Sequence, residues 1–521
     1  MYKKLLRCLM AVALVLVSGG VRVILPVNAG LLPDEDLGTI TTMNDFADDS
    51  VMVVLTHEAS LEFVDYTPAD FAEIGCAEVQ DLSSAKGAKV QAVLRGEQLD
   101  MSSVGARFMN QNIDVDGFRR ILCLKLANPG KGNVLRAVMA LEQREDVLYA
   151  EPNYIYTLDT VEPSSTTSSN DLNWGAMKIQ LEDAWEIETG SDTVLVGVLD
   201  TGIDASHPAL DGKIKTNMSC NFTEEQQSAL TDRVGHGTFV AGVIGAMYNT
   251  NALRYSGVNQ NVQLVSLRVI TNGQRSRSSE IANAINFAES RSIPLLNLSL
   301  RATIRSEEDD AILFSVIENY SGLLICAAGN DNDNINQEED PIPAVLEYDN
   351  IITVGASTST DHRASLSNYG EDTVDLFAPG VDIVGCWPHS LCSSTSCSSE
   401  KHVEYGYHIE SGTSIAAPFV TGTAALILAH NPYITPAQLR AAILDTVDQN
   451  SALDGCCASG GRLNAFAALY SPYAHYDVDY TYINSTQHRR TCLDCGCSWM
   501  EDHEIHPGLH RCIYCYPIPN E

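Results

Sequence analysis

Short apolar segments alternate with helix-like stretches along the middle of the chain, and this pattern constrains the fold most. Five segments are short, apolar and rich in β-branched residues: 194–199, 262–267, 293–299, 322–326 and 351–354. Helix-like stretches lie between them at 237–247, 278–290 and 308–319. Strands buried on both faces of a parallel sheet are continuously apolar in this way. The alternation predicts an open, mostly parallel α/β domain over residues 170–470.

Three polar residues fall next to these elements, where such a sheet collects functional groups. Asp200 closes a strand in Asp-Thr-Gly-Ile-Asp, His236 precedes a helix in Gly-His-Gly-Thr, and Ser414 starts a long helix in Gly-Thr-Ser-Ile-Ala-Ala-Pro. Each residue alone is also typical of a turn or a helix cap. Together they predict a catalytic triad, in which a base takes the serine proton and a carboxylate fixes the tautomer of the base.

Two hydrogen-bond donors are candidates for an oxyanion hole. The backbone N–H of Ser414 has no helical partner because it lies at a helix N-terminus, where the dipole also favours negative charge. Asn330 ends the segment Ala-Ala-Gly-Asn directly after a predicted strand. Its side-chain amide is therefore the predicted second donor to the developing oxyanion.

The segment from residue 173 to about residue 469 resembles the subtilisin-like serine proteases. The resemblance rests on the motifs at 200–204, 235–238, 327–330 and 412–418. That family is known for the order Asp, His, Ser and for an oxyanion-hole asparagine. The resemblance implies a catalytic domain at 173–470 with a seven-stranded parallel sheet flanked by helices. It also implies hydrolysis of protein or peptide substrates through an acyl-enzyme on Ser414, with no cofactor for catalysis.

One departure from the family pattern follows the segment Asn-Leu-Ser-Leu at 297–300. The resemblance implies that Ser299 and Leu300 bind substrate backbone beside the primary specificity pocket, where the family usually continues with glycine. Arg301 stands there instead. An arginine turned to solvent would leave specificity unchanged, whereas one at the pocket would narrow it or favour an acidic substrate residue. The sequence leaves both interpretations open.

The N-terminus has the features of an export signal. Lys3, Lys4 and Arg7 precede the apolar run 9–18, and Val-Asn-Ala at 27–29 supplies a small-residue cleavage site. The alternative is a membrane anchor, but glycines and an arginine interrupt the run well short of the roughly 20 apolar residues that span a bilayer. We therefore predict a signal peptide at 1–29, a spacer at 30–50, no transmembrane anchor and a secreted, extracellular protein.

Residues 51–158 resemble the propeptides of the same family, which are small α/β (ferredoxin-like) domains. Predicted strands lie at 51–56 and 121–126, a helix at 133–146 and an edge strand at 149–156, with an insertion around 60–118. The resemblance implies a zymogen whose propeptide inhibits its own active site and is removed by autoprocessing within or near the linker 159–172. A permanent N-terminal packing domain is the alternative.

The C-terminal module, residues 471–521, is rich in Cys and His. Two Cys-x-x-Cys pairs have the spacing of a zinc ribbon and give a candidate metal site formed by Cys492, Cys495, Cys512 and Cys515. Two disulfides would satisfy the same cysteines, since export permits disulfides. A tail this short buries little core and needs metal or bridges. Contact with the cell wall or with a partner protein is a further role for this zinc-ribbon-like tail.

Charge excludes one class of partner. A formal net charge of -35 and an isoelectric point near 4.6 argue against binding to nucleic acid or to an anionic surface. Relatives of this family often carry structural calcium, so the resemblance implies calcium, although no spacing identifies its site. A catalytically silent binding protein is the alternative function, and the presence of all four candidate residues disfavours it. The sequence does not choose between broad degradation and one selective cleavage.

Overall fold

The computed structural model describes two large regions and parts of the C-terminal tail. The described residues are 45–97, 100–109, 115–158, 174–247, 256–301, 310–336, 343–346, 348–391, 402–404, 406–474, 478–482, 487–492 and 498–502. The predicted signal peptide, the linker 159–172 and three of the four candidate zinc ligands, Cys495, Cys512 and Cys515, lie outside them.

Residues 45–158, called the N-terminal region below, form an antiparallel sheet with helices packed on it. The strands are β1 (Phe46–Leu55), β2 (Cys76–Asp81), β3 (Ile121–Leu126) and β4 (Val147–Leu158), in the order β4-β1-β3-β2. The helices are α1 (His57–Leu61), α2 (Ser84–Leu94), α3 (Val104–Phe108) and α4 (Lys131–Leu141). Buried Val134, Ala137 and Leu141 share one face of α4, at helical spacing, and α4 packs on β1 and β4. β1 begins at Phe46, inside the predicted spacer.

Residues 174–474 form the larger region. Its strands are β5 (Leu195–Asp200), β6 (Cys220–Asn221), β7 (Gln263–Arg268), β8 (Arg275–Arg277), β9 (Leu295–Leu298), β10 (Leu300–Arg301), β11 (Leu323–Ala327), β12 (Ile351–Ser357), β13 (Leu376–Pro379), β14 (Ile383–Cys386), β15 (His402–Glu404), β16 (Tyr407–Glu410), β17 (Asp448–Gln449) and β18 (Gly461–Arg462). Its helices are α5 (Trp174–Lys178), α6 (Leu181–Trp185), α7 (His236–Gly245), α8 (Ser278–Ser290), α9 (Ala311–Glu318), α10 (Thr413–His430), α11 (Pro436–Leu444) and α12 (Ala465–Leu469).

The predicted parallel sheet is present. Its order is β17-β18-β13-β12-β11-β9-β5-β7-β6, and every neighbouring pair is parallel except β17 with β18. Every residue of β9, β11 and β12 is buried, as expected for strands covered on both faces. The described sheet has nine strands rather than the seven implied by the resemblance, and three of the nine, β6 at one edge and β17 and β18 at the other, are only two residues long.

Two helices that begin at the carboxyl-terminal edge of the parallel strands pack against each other within the core. α7 contacts β5, and α10 contacts β9, β11, β12 and β13. Among the described helices, α10 is the one long and apolar enough to cross a membrane, and 89% of it is buried inside the protein. Its composition is thus accounted for by its place in the core.

The strand β4 links the two regions. Its first half pairs antiparallel with β1, and its last residues pair antiparallel with β8 on one side and β10 on the other. The prediction of an edge strand at 149–156 is correct for the N-terminal sheet alone. It is wrong for the whole protein, because β8 and β10 cover the end of β4. The strand is also longer than predicted, since these contacts fix its backbone as far as Leu158.

Two smaller sheets complete the described structure. The strands β14, β16 and β15 form an antiparallel sheet. In the tail, β19 (Val478–Tyr482), β20 (Gln487–Cys492) and β21 (Ser498–Asp502) form another. Cys492 therefore ends a strand.

Candidate active site

The three candidate residues of the triad come from three neighbouring elements. Asp200 is the last residue of β5, His236 is the first residue of α7, and Ser414 is the second residue of α10. All three are buried, with relative exposures of 1%, 7% and 3%. The imidazole Nδ1 of His236 lies 2.9 Å from both carboxylate oxygens of Asp200. The carboxylate thus holds the ring with Nδ1 protonated, which leaves Nε2 as the basic nitrogen.

The protonation of His236 reflects two opposing causes. Burial lowers the pKa of His236, whereas the charge and hydrogen bond of Asp200 raise it, with smaller contributions from the charges of Glu410 and Asp232. The net direction is upward from the ordinary value. Among the described residues Nε2 has no hydrogen-bond partner. Such bonds are often long in a free enzyme and tighten only when substrate binds.

A carboxylate that the motifs did not single out connects the elements carrying Asp200 and His236. Asp232 is fully buried and accepts hydrogen bonds from Thr201 Oγ1 (2.9 Å), Gly235 N (2.8 Å), Thr238 N (3.0 Å) and Thr238 Oγ1 (2.8 Å). Thr201 Oγ1 in turn accepts from Gly237 N at 3.0 Å. This network fixes the residue after Asp200 to the start of α7. Its only sequence signal is an acidic residue four positions before the histidine.

A glycine brings the serine and asparagine side chains to one point. Gly412 has φ 149°, a conformation that favours glycine. A Cβ at this position would lie 3.3 Å from Ser414 Oγ and 3.4 Å from Asn330 Nδ2. The carbonyl oxygen of the Asn330 side chain accepts from Thr413 N at 2.9 Å and from Thr413 Oγ1 at 3.1 Å. The amide is thereby oriented with Nδ2 toward the space beside the serine hydroxyl.

Of the candidate substrate-binding residues, Ser299 lies between β9 and β10, and Leu300 and Arg301 form β10. Ser299 Oγ donates to the carbonyl oxygen of Ser414 at 3.4 Å, and Leu300 is buried. The Arg301 guanidinium forms an ion pair with Asp331, the residue after Asn330. The Arg301 side chain is only 29% exposed, so it is not turned wholly to solvent.

The rim of the site is occupied by β4. Thr157 lies between Arg275 of β8 and Arg301 of β10, and Leu158 lies opposite Leu300. The chain thus runs along β10 toward Ser299, which touches the backbone of Ser414. The three elements form a short antiparallel sheet beside the candidate triad.

The structure brings seven predicted residues together: Asp200, His236, Ser414, Asn330, Ser299, Leu300 and Arg301 lie on adjoining elements at one edge of the sheet. Of the four candidate zinc ligands only Cys492 falls within the described residues, and nothing is described of its side chain. In the part of the chain that the structure describes, no group of three or more His, Cys, Asp or Glu side chains is arranged to hold a metal ion.

Comparison with known proteins identifies the family of the chain. The subtilase family model matches residues 191–464. The chain is 33% identical to the thermophilic serine proteinase of Bacillus sp. (strain AK1), over 65% of this chain and 76% of that protein. It is 30% identical to thermitase of Thermoactinomyces vulgaris, over 57% of this chain and 95% of thermitase. It is 32% identical to an extracellular serine proteinase of Thermus sp. (strain Rt41A), over 65% of this chain and 75% of that protein. The predicted resemblance is confirmed, and the chain belongs to the subtilase family as a subtilisin-like serine endopeptidase.

Proposed function

We propose that the protein is a secreted endopeptidase made as a zymogen, with Ser414 as nucleophile, His236 as general base and Asp200 as the residue that orients the base. The observation that carries this assignment is the 2.9 Å contact of His236 Nδ1 with Asp200. His236 Nε2 takes the proton of Ser414 Oγ as the hydroxyl attacks the substrate carbonyl. The same proton then passes to the leaving amine, and water hydrolyses the acyl-enzyme by the reverse sequence.

Asn330 Nδ2 and the backbone N–H of Ser414 stabilise the oxyanion of this reaction. Support comes from the hydrogen bonds to Thr413, which hold the Asn330 amide before substrate arrives. Donors fixed in advance stabilise a developing charge without reorganisation cost, and removing one typically lowers kcat by roughly 10²- to 10³-fold.

Labelling with a serine-directed fluorophosphonate tests the assignment. The mature protein should react, and the Ser414→Ala protein should not. A catalytically silent binding protein with the same fold would show no labelling that depends on Ser414. The label therefore separates the two functions.

We further propose that the N-terminal region is an inhibitory propeptide. Support lies in the pairing of β4 with β8 and β10, which covers the backbone groups that an extended substrate would use. A substrate strand and β4 therefore compete for the same edges. The region would remain inhibitory after cleavage until it dissociates.

The cleavage point follows from the direction of β4. The described strand ends at Leu158, which lies opposite Leu300. The residue before Leu300 is Ser299, which contacts the backbone of Ser414. We expect mass spectrometry of the secreted protein to find a new N-terminus between about residues 157 and 172. A secreted, active protein that still carries residues 51–158 covalently would identify a permanent packing domain instead.

Arg301 is proposed to restrict the substrate residue that precedes the scissile bond. The ion pair with Asp331 joins β10 to the segment that carries Asn330, so a substrate side chain entering between them meets a guanidinium. Arg301→Gly should raise cleavage after bulky residues and lower cleavage after acidic ones, by about 10-fold or more.

Peptide-library profiling of the Arg301→Gly protein measures this change. Arg275→Gly is a matched control, since Arg275 also lies opposite Thr157 but on the other flanking strand. An unchanged profile for Arg301→Gly would remove Arg301 from the substrate-binding residues.

The tail is proposed to bind one structural zinc ion through Cys492, Cys495, Cys512 and Cys515. Support is limited to donor chemistry and spacing, because four thiolates in two Cys-x-x-Cys pairs suit tetrahedral zinc. Metal content and free-thiol titration of the purified chain distinguish zinc from two disulfides. Such a module would serve as a contact to the cell wall or to another protein.

A further inference from the structure

Two buried carboxyl groups meet where β4 docks onto the larger region. Glu151 belongs to β4 and is 2% exposed, and Asp310 directly precedes α9 and is fully buried. Glu151 Oε1 accepts a hydrogen bond from Ile312 N at 3.0 Å. Asp310 Oδ2 accepts from Tyr156 Oη at 2.9 Å and from Ser278 Oγ at 2.5 Å. One residue of the pair is thus contributed by each side of the interface.

Among the described residues, the second oxygen of each carboxyl group has no hydrogen-bond donor other than a proton on the partner carboxyl group. These oxygens are Glu151 Oε2 and Asp310 Oδ1, and both are buried. Asp310 also has φ 66°, a conformation that is strained for most residues other than glycine. Buried polar atoms are nearly always hydrogen-bonded, so two unpaired acceptors at one place require an explanation. A proton on one carboxyl group would supply a donor for the other.

No cation among the described residues faces the pair. The groups around it are the Tyr156 hydroxyl from β4, the Ser278 hydroxyl from α8 and backbone N–H groups of the first turn of α9. Among the described residues no Lys, Arg or His side chain contacts either carboxyl group. The N-terminus of α9 carries roughly half an elementary positive charge, which is less than two carboxylates require. Both groups cannot be charged there without strong repulsion.

We propose that β4 docks with the Glu151–Asp310 pair sharing a proton, and that loss of this proton loosens β4 from the larger region. When β4 leaves, each carboxyl group returns to water and no longer faces the other. The undocked state therefore binds fewer protons than the docked one. Docking is a protonation-dependent contact built from one acid of each region.

The direction of the pH dependence follows from burial and repulsion. Burial, and then the charge of Asp310, raises the pKa of Glu151 well above its usual range. Burial also raises the pKa of Asp310, to about 6. A raised acid pKa in the docked state means that docking is strongest below the ordinary carboxyl pKa of about 4 and weakens as the pH rises through the raised value. Asp310 alone predicts about 10-fold weaker docking at pH 7 than at pH 5.

The consequence for activity rests on the proposed function of the N-terminal region as an inhibitor. In that case the zymogen is held closed in acidic conditions, and β4 is released more readily at neutral pH and above. The docking equilibrium itself does not depend on catalysis, so it can be measured in a protein that cannot cleave itself.

Hydrogen–deuterium exchange on the full chain tests the proposal. In a Ser414→Ala background, which prevents self-cleavage, protection of the amides of β4 is compared at pH 5 and pH 7 after correction for intrinsic exchange. Protection should fall about 10-fold or more between these pH values. Glu151→Gln keeps the acceptor for Ile312 N and provides a donor toward the Asp310 carboxylate, so its protection should fall less between pH 5 and pH 7 than that of the parent.

Two further variants complete the experiment. Asp310→Asn should also reduce the pH dependence, because it removes the charge of Asp310 from beside Glu151, and asparagine tolerates the φ of this position. Glu145→Gln, at an exposed position of the same region, should behave like the parent. Equal protection of the parent at pH 5 and pH 7, or a fall in Glu151→Gln as large as in the parent, would overturn the proposal. Neither result bears on whether Ser414 is the nucleophile.

Discussion

Replacing Ser414 by alanine should lower kcat for peptide hydrolysis by roughly 10⁶-fold, the size of the loss measured for the equivalent serine of a subtilisin. The effect is this large because the methyl group of alanine cannot form the acyl-enzyme, and His236 then has no hydroxyl to activate. The substitution should barely change stability, since a methyl group fits the buried position occupied by the Ser414 side chain. Burst kinetics with an ester substrate measures the loss in kcat, and thermal unfolding measures the stability.

A matched control uses another serine. Ser228 lies exposed in a loop, and Ser228→Ala should retain parental activity and processing. If the Ser414→Ala protein, expressed alone, were still cleaved between about residues 157 and 172, autoprocessing would be excluded while catalysis by Ser414 would stand. Residual hydrolysis near the parental rate would remove Ser414 as nucleophile.

Replacing Asp200 by asparagine should have the second-largest effect, a loss of about 10⁴ in kcat. An asparagine donates as well as accepts at this place, so His236 is no longer held with Nδ1 protonated. The substitution also removes the charge that raises the pKa of His236, and burial, which lowers the pKa, then dominates. The acidic limb of the pH profile of kcat/KM should therefore move to lower pH, because the base stays neutral further into acid.

The pH profile separates this role from general damage to the fold. Asp211 is an exposed aspartate outside the site, and Asp211→Asn should leave both rate and profile unchanged. A slower Asp200→Asn enzyme whose acidic limb stays in place would mean that Asp200 does not set the protonation of His236.

Local signals in the sequence were sufficient to predict the parallel sheet and the candidate catalytic residues at its edge. The apolar runs that form β5, β9, β11 and β12 can be recognised from consecutive residues alone. Asp200, His236 and Ser414 were recognisable because each sits at the junction of a strand or helix with a glycine turn. The same local signals give the position of Asn330 after β11.

Contacts between distant segments were not predictable in the same way. Asp232 carries no motif, and its role depends on how its loop folds between Thr201 and α7. The pairing of β4 with β8 and β10 is set by tertiary packing, which sequence periodicity does not report. The meeting of Glu151 and Asp310 has the same origin, since neither residue is distinguished within its own element.

The placement of β4 has a consequence for how the folded domain avoids unwanted association. A strand edge with free N–H and C=O groups pairs with almost any extended chain, largely independent of its sequence. β8 and β10 present two such edges facing each other, separated by the width of one strand. While β4 fills that gap, neither of these two edges is free to pair with another chain. On the propeptide function proposed above, the same segment would also cover these edges against aggregation until it is removed.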